Sequence, residues 1–185
     1  LEAEMNRSRG MDDERVHYRE KTWAPLWVFA LLWGAFLAAI IKTGSAVLRM
    51  GSPADGQFLS EVAPLVAVFG GVFLFLLALN ALFTRLDVEV LGDQVLIAFG
   101  PVHLVRKRIF FSEIESVRGL TYRPLIEFGG WGIRPRPGKT AWTIRGNQAA
   151  AVKLKSGRQI YVGSEHPQRL AGAIQAAMRT AGAGE

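Results

Sequence analysis

The chain has 185 residues, of which half are apolar and 21% charged, and its 22 lysines and arginines outnumber its 16 acids. That mixture is too greasy for a simple soluble domain and too polar for a buried bundle, and at roughly 100–200 residues per domain it accommodates one membrane part and one small globular part. There is no cysteine, and the three histidines (His17, His103, His166) stand far apart. Disulfides, thiolate chemistry, iron–sulfur clusters and cysteine zinc sites are thereby excluded, and metal chemistry is disfavoured.

Residues 1–22 are polar, of mixed charge and without apolar periodicity. This is the composition of a disordered tail, which gains order only against a partner that offsets the lost chain entropy.

From residue 23 to residue 41 nothing is charged. As a helix the stretch covers roughly 28 Å, close to the hydrocarbon thickness of a bilayer. Pro25 falls in the first turn, where its missing N–H costs nothing, while Trp23 and Trp27 fall where an interfacial aromatic belt lies. A turn-rich loop over 42–61, with Gly44, Gly51, Pro53 and Gly56, leads to a second uncharged run over 62–84. Residues 23–85 therefore read as a transmembrane helical hairpin. Arg7, Arg9, Arg15, Arg19, Lys21 and Arg85 flank it outside the loop, against Lys42 and Arg49 within it, which predicts that both termini are cytoplasmic.

Small residues recur every four positions in both spans: Ala30, Gly34 and Ala38 in the first, Ala63, Ala67 and Gly71 in the second. Such stripes let helix backbones approach, so they are expected to zip the hairpin. Trp27, Trp33, Phe36, Phe69, Phe73 and Phe75 are then expected to face lipid or another subunit. Asn80 is the strongly polar side chain of the spans, and neither span holds a histidine or carboxylate. A proton relay, ion path or axial pigment ligand in the bilayer is not expected.

From residue 86 onward the texture is that of short strands. LDVEVL, VLIAFG, LVRKRIFF, IESVRGL, AWTIRG, AAVKLK and RQIYVG are separated by turn signals such as Gly92-Asp93, Gly100-Pro101 and Ser156-Gly157. A closing helix has Ser164 as its cap, Pro167 in its first turn, and one apolar face formed by Leu170, Ala173, Ile174, Ala177 and Met178. Six or seven strands and one amphipathic helix predict a small barrel or sandwich plugged by the helix. The fold class is α+β: a membrane hairpin followed by a small β domain.

The central FFSEIESV, the later Phe128-Gly129-Gly130-Trp131-Gly132-Ile133-Arg134, the tryptophan strand Ala141-Trp142-Thr143-Ile144, the G-R-x-I-x-V-G hairpin and the closing helix carry a resemblance. The region 86–185 resembles the bacterial pleckstrin-homology-like (PH-like) domains found behind paired transmembrane helices. The resemblance implies a partly open seven-stranded barrel capped by its C-terminal helix, in a family of mostly unassigned function. It also implies the bacterial inner membrane as the location. Phosphoinositide-binding members place lysines and arginines around the first hairpin loop. Here that loop is Leu91-Gly92-Asp93-Gln94, acidic rather than basic, so headgroup binding at the usual site is not expected.

Two basic clusters are candidate surfaces for a partner or for lipid. In a strand through Arg106-Lys107-Arg108, Arg106 and Arg108 share one face and Lys107 the other, placing two cations where anionic headgroups are attracted. The excursion from Tyr122 to Lys139 sets Arg123, Arg134 and Arg136 around Trp131, a combination common at interaction anchors. Trp131 reads equally well as the plug of the barrel mouth. The basic residues are too scattered for a nucleic-acid site. No Walker loop, GxSxG, HExxH or CxxC occurs, and no carboxylates are paired, so no catalytic, metal or cofactor site is expected. The expectation is a non-catalytic accessory or scaffold subunit among other integral membrane proteins, with energy-transducing complexes, respiratory or photosynthetic, as natural hosts. The alternative is a membrane-surface module that senses anionic lipid or envelope state.

Overall fold

The computed structural model describes residues 17–49 and 58–182 and divides them into two compact units, Pro25–Ala81 and the remainder. In the first unit, helices α1 (Leu26–Arg49) and α2 (Phe58–Phe83) are long and apolar enough to cross a membrane. No described residue of α1 is buried, and in α2 Leu76 is. Residues 1–16 and most of the connecting loop lie outside the described residues.

The two helices meet through aromatic rings. Trp33 lies edge-on to Phe73 with centroids 5.7 Å apart, and Phe36 packs on Phe69 at 6.0 Å. Trp27 and Phe75 face outward as expected, but the contact between the helices is made by the other four aromatic residues and not by the small ones. Ala30, Gly34, Ala38, Ala63, Ala67 and Gly71 are all exposed, and a Cβ added at Gly34 or Gly71 would meet nothing within 4 Å. The physical reason is that Trp33, Phe36, Phe69 and Phe73 also recur at helical spacing. Interlocked rings gain about 0.5–1.5 kcal/mol per pair beyond their buried area, and their bulk holds the backbones apart. Asn80 Nδ2 donates to Leu76 O of its own helix at 2.9 Å.

The second unit holds nine strands, two short turns of helix and a closing helix among the described residues. The first sheet has the order β1 (Tyr18–Trp23), β2 (Arg85–Val90), β3 (Gln94–Phe99), β4 (Val105–Phe110), all antiparallel. Its strand β1 corrects the reading of residues 18–22 as part of a tail, since Tyr18 to Trp23 pair with Val90 to Arg85. The polar run YREKTW hides a strand because it alternates Tyr18, Glu20 and Thr22 on one face with Arg19, Lys21 and Trp23 on the other. The strand also takes Trp23 out of the first helix, which begins at Leu26.

The second sheet comprises β5 (Ile114–Thr121), β6 (Gly132–Arg136), β7 (Lys139–Thr143), β8 (Gln148–Leu154) and β9 (Gln159–Gly163), in the order β5-β8-β9-β7-β6. All pairs are antiparallel except β7 with β9. A 3₁₀ turn (Phe111–Glu113) precedes β5, and the short helix α3 (Pro124–Phe128) precedes β6. The excursion from Tyr122 to Lys139 thus contains a strand that the sequence does not announce. Pro135 lies in it, which an edge strand such as β6 tolerates.

The sheets share a core in which Leu86, Val88 and Val90 of β2 and Val95, Ile97 and Phe99 of β3 are at most 1% exposed. Phe99 meets Trp142 of β7 at 5.9 Å, joining the two sheets. The outer face of the second sheet carries its own small cluster. Tyr122, Phe128 and Tyr161 stack there over Ala141, Ala149 and Ala151, whose small side chains make room for the rings.

Helix α4 (Pro167–Gly182) packs along β5 and β8 and reaches β2. Leu170, Ile174 and Ala177 face inward, as the periodicity predicts. Ser164 accepts the His166 N–H at 3.0 Å, and Pro167 opens the helix. Gly119 of β5 lets the helix start touch the strand backbone: a Cβ there would lie 2.7 Å from the Pro167 carbonyl carbon.

Candidate functional site

The two basic clusters occupy different sheets, and the fold does not unite them. Arg106 and Arg108 lie on β4, a free edge of the first sheet. Register places Arg106 beside Ala98, Asp87 and Lys21, and Arg108 beside Leu96, Glu89 and Arg19, all on the outer face. Lys107 points to the core side yet stays exposed at the edge, where a charge blocks pairing with another chain.

Most charges on this face are matched. Arg19 pairs with Glu89 at 2.9 Å. Asp87, 3% exposed, receives Arg85 Nη2 at 3.0 Å and His103 Nε2 at 2.6 Å. Among the described residues Lys21, Arg106 and Arg108 have no such partner. The face therefore presents three free cations, one of them from the segment read as a tail.

His103 has a positive φ of 51°, and its bond to Asp87 turns the ring inward over the sheet. Its neighbours Val102 and Leu104 are left outward, 61% and 71% exposed. Arg85 also stacks on Trp23, with its guanidinium carbon 5.9 Å from the ring centroid.

The second cluster is built around α3. Glu127 Oε1 accepts the Arg123 N–H at 2.8 Å, closing the first turn. Gly129 ends the helix at φ 75°, a conformation natural to glycine. Arg134 and Arg136 alternate on β6, and their guanidinium groups lie over the backbone of Gly130 and Gly129. Trp131 is half-buried, and its indole N–H donates to Gly146 O at 2.7 Å, latching the excursion to the β7–β8 turn. Arg134 Nε donates to Trp131 O at 2.9 Å. Lys139 sits 4.8 Å over the Phe128 ring and 3.5 Å from Glu127. Trp131, Arg134 and Lys139 are thus engaged in holding the excursion's shape.

What this segment leaves exposed is apolar: Leu125 and Ile126 are 68% and 75% exposed. The sequence reasoning passed over them, although two large aliphatic residues directly after Arg-Pro in a five-residue helix, too short to bury both, are a readable signal.

Burial raises the Tyr122 phenol above its ordinary pKa. The Thr143 hydroxyl, which faces it without a well-formed hydrogen bond, opposes this shift, and the Glu127 charge adds to it. Among the described residues no group of three histidines or carboxylates comes within metal-binding reach.

The two helices enclose an open apolar cleft of about 690 Å³ between Ile40, Val47, Leu65 and Phe69. No family model matches this sequence, and no curated protein is significantly similar to it.

Proposed function

We propose that the chain is a non-catalytic integral membrane protein that works by binding, as a two-span accessory or scaffold subunit of a larger membrane assembly. The observation that carries this reading is the outward placement of both small-residue stripes. In a bilayer, small residues favour close helix approach, and here they are left for helices other than the chain's own. The open cleft lined by Ile40, Val47, Leu65 and Phe69 adds apolar surface that the hairpin does not cover for itself. The β-rich unit is read as a PH-like domain; two joined sheets and a C-terminal helix packed along one of them support that reading. The excess of basic residues outside the loop supports a cytoplasmic side for the domain, and the bacterial inner membrane is what the PH-like resemblance implies.

The test is extraction from native membranes in mild detergent through a C-terminal tag, followed by particle mass and the identity of what co-purifies. A large stoichiometric assembly is expected. A lone chain or a small homo-oligomer overturns the proposal.

A further inference from the structure

Outside the two apolar helices, the large hydrophobic residues that are exposed among the described residues are Trp23, Val102, Leu104, Phe110, Leu125 and Ile126. All but Phe110 gather at one end of the β-rich unit. Trp23 ends β1 beside Arg85, and the Ala24 N–H bonds to Thr84 O at 2.8 Å, so the chain leaves for both helices side by side. The β3–β4 loop with Val102 and Leu104 follows directly, since the Gly100 N–H bonds to Arg85 O at 2.8 Å. The second sheet meets this end through Thr22, Gly146 and Asn147, which line one small pocket. Asn147 O accepts the Tyr122 N–H at 2.8 Å, two residues before α3 with Leu125 and Ile126.

We propose that this end of the domain docks on the anionic face of the bilayer, with Val102, Leu104, Leu125 and Ile126 entering the headgroup layer and Lys21 and Arg106 attracting acidic lipid. The inference rests on reading α1 and α2 as membrane spans.

Three observations carry it. The connections to the helices are two residues (Ala24, Pro25) and one residue (Thr84), a tether short enough to hold the domain next to a membrane that those helices span. The apolar residues are presented by fixed structure: His103 pinned to Asp87 holds its neighbours outward, and a five-residue helix holds Leu125 and Ile126. Lys21 and Arg106, on the face beside this end, have no ion-pair partner among the described residues, and each basic side chain near an anionic leaflet favours the docked state about fivefold. Exposed apolar groups rimmed by free cations match a lipid headgroup layer, where apolar burial and charge attraction act together.

Because the chain has no cysteine, single cysteines report single sites. The variants Leu104→Cys, Ile126→Cys and, in the β8–β9 turn at the opposite end, Ser156→Cys would each carry an environment-sensitive fluorophore. The full chain would be reconstituted in nanodiscs of phosphatidylcholine alone or with phosphatidylglycerol, and read by emission shift and iodide quenching. The expected result is protection at residues 104 and 126 in anionic discs, weaker protection in neutral discs, and none at residue 156. Adding Lys21→Gln and Arg106→Gln is expected to lower the docked-to-free ratio about fivefold each.

Labels that stay fully quenched in every disc overturn the docking, as does equal protection in neutral and anionic lipid. Protection seen in native membranes but not in pure lipid discs overturns it in favour of a protein partner. Failure of the spanning premise shows separately, as release of the chain from membranes by alkaline carbonate.

Discussion

Glu20 and Ser164 are 144 positions apart and share a hydrogen bond of 2.6 Å, donated by the Ser164 hydroxyl to Glu20 Oε2. The other carboxylate oxygen accepts the Glu165 N–H at 2.6 Å, and the Tyr18 hydroxyl donates to Oε2 at 2.9 Å. One side chain on the first strand therefore ties the first sheet to the junction between β9 and the closing helix. The strand that precedes the apolar helices is part of the domain that follows them.

Glu20→Ala is expected to destabilise the β-rich unit by about 2 kcal/mol, since it leaves the Ser164 hydroxyl and the Glu165 amide without their acceptor. Ser164→Ala is expected to cost about 1 kcal/mol, and the double variant less than the sum, because the two share one bond. Denaturant unfolding of the full chain in detergent, followed by tryptophan fluorescence, measures all three. Additive costs would contradict the contact.

Gly119→Ala is expected to cost about 1–3 kcal/mol, because the new methyl would overlap the backbone of Pro167 and Gln168 and neither strand nor helix start can yield cheaply. Gly172→Ala, on the exposed side of the same helix with nothing within 4 Å, is expected to gain about 0.5–1 kcal/mol from helix propensity. The opposite signs of the two variants in one thermal-melt series are the check.

Alkaline pH is expected to loosen the domain. Burial, then the hydrogen bond and charge of Glu20, push Tyr18 from the usual 10.0 up to about 12, with Arg169 opposing. Tyr122 moves in the same direction. Folding thus favours the protonated phenols: the contribution of Tyr18 is complete below pH 10 and drains away as pH rises from 10 through about 12. Tyr18→Phe is expected to flatten that part of the pH–stability curve, and an unchanged slope would refute the assignment.

In the two apolar helices, Trp33→Ala and Phe73→Ala are each expected to loosen the hairpin, since the pair loses about 0.5–1.5 kcal/mol of ring contact in addition to buried area. Ala30→Leu with Ala67→Leu is expected to leave the isolated chain unchanged, because both positions face outward, while reducing the yield of any co-purifying assembly. Distances between spin labels on the two helices separate these outcomes.

How much was legible beforehand depends on the range of the interaction. Two long uncharged runs declare themselves through length alone, and each of the seven alternating stretches from LDVEVL to RQIYVG overlaps a strand, AWTIRG only through residues 141–143. The face of α4 was equally readable, since Leu170, Ile174 and Ala177 follow from the helical repeat. Strands β1 and β6 were not. YREKTW has one apolar pair and GIRPR carries a proline, so each is a strand by virtue of its neighbour: β1 beside β2, β6 beside β7.

The basic residues show the same division. Arg106 and Arg108 could be placed on one strand face from the period of two, but Lys21 joins them only through register across four strands. Trp131 read equally as an interaction anchor or a plug of the barrel mouth and Arg134 as an anchor beside it, and the fold engages both in hydrogen bonds that shape the excursion. The small-residue stripes and the aromatic stripes both had helical spacing. Nothing within one helix says which stripe its neighbour will meet, and it was the fit of rings between two helices that decided.

The sequence by itself determined the local and compositional features: two apolar helices, a strand-rich segment, a basic balance, and the absence of cysteine chemistry. These depend on side-chain period and polarity, which act over a few residues. Only the tertiary structure decided that the first strand belongs to the last domain, which face of each helix is left free, and which apolar residues gather where both helices depart. Those outcomes hang on contacts such as Glu20 with Ser164 and Asp87 with His103, made between segments whose separation along the chain carries no signal in either segment alone.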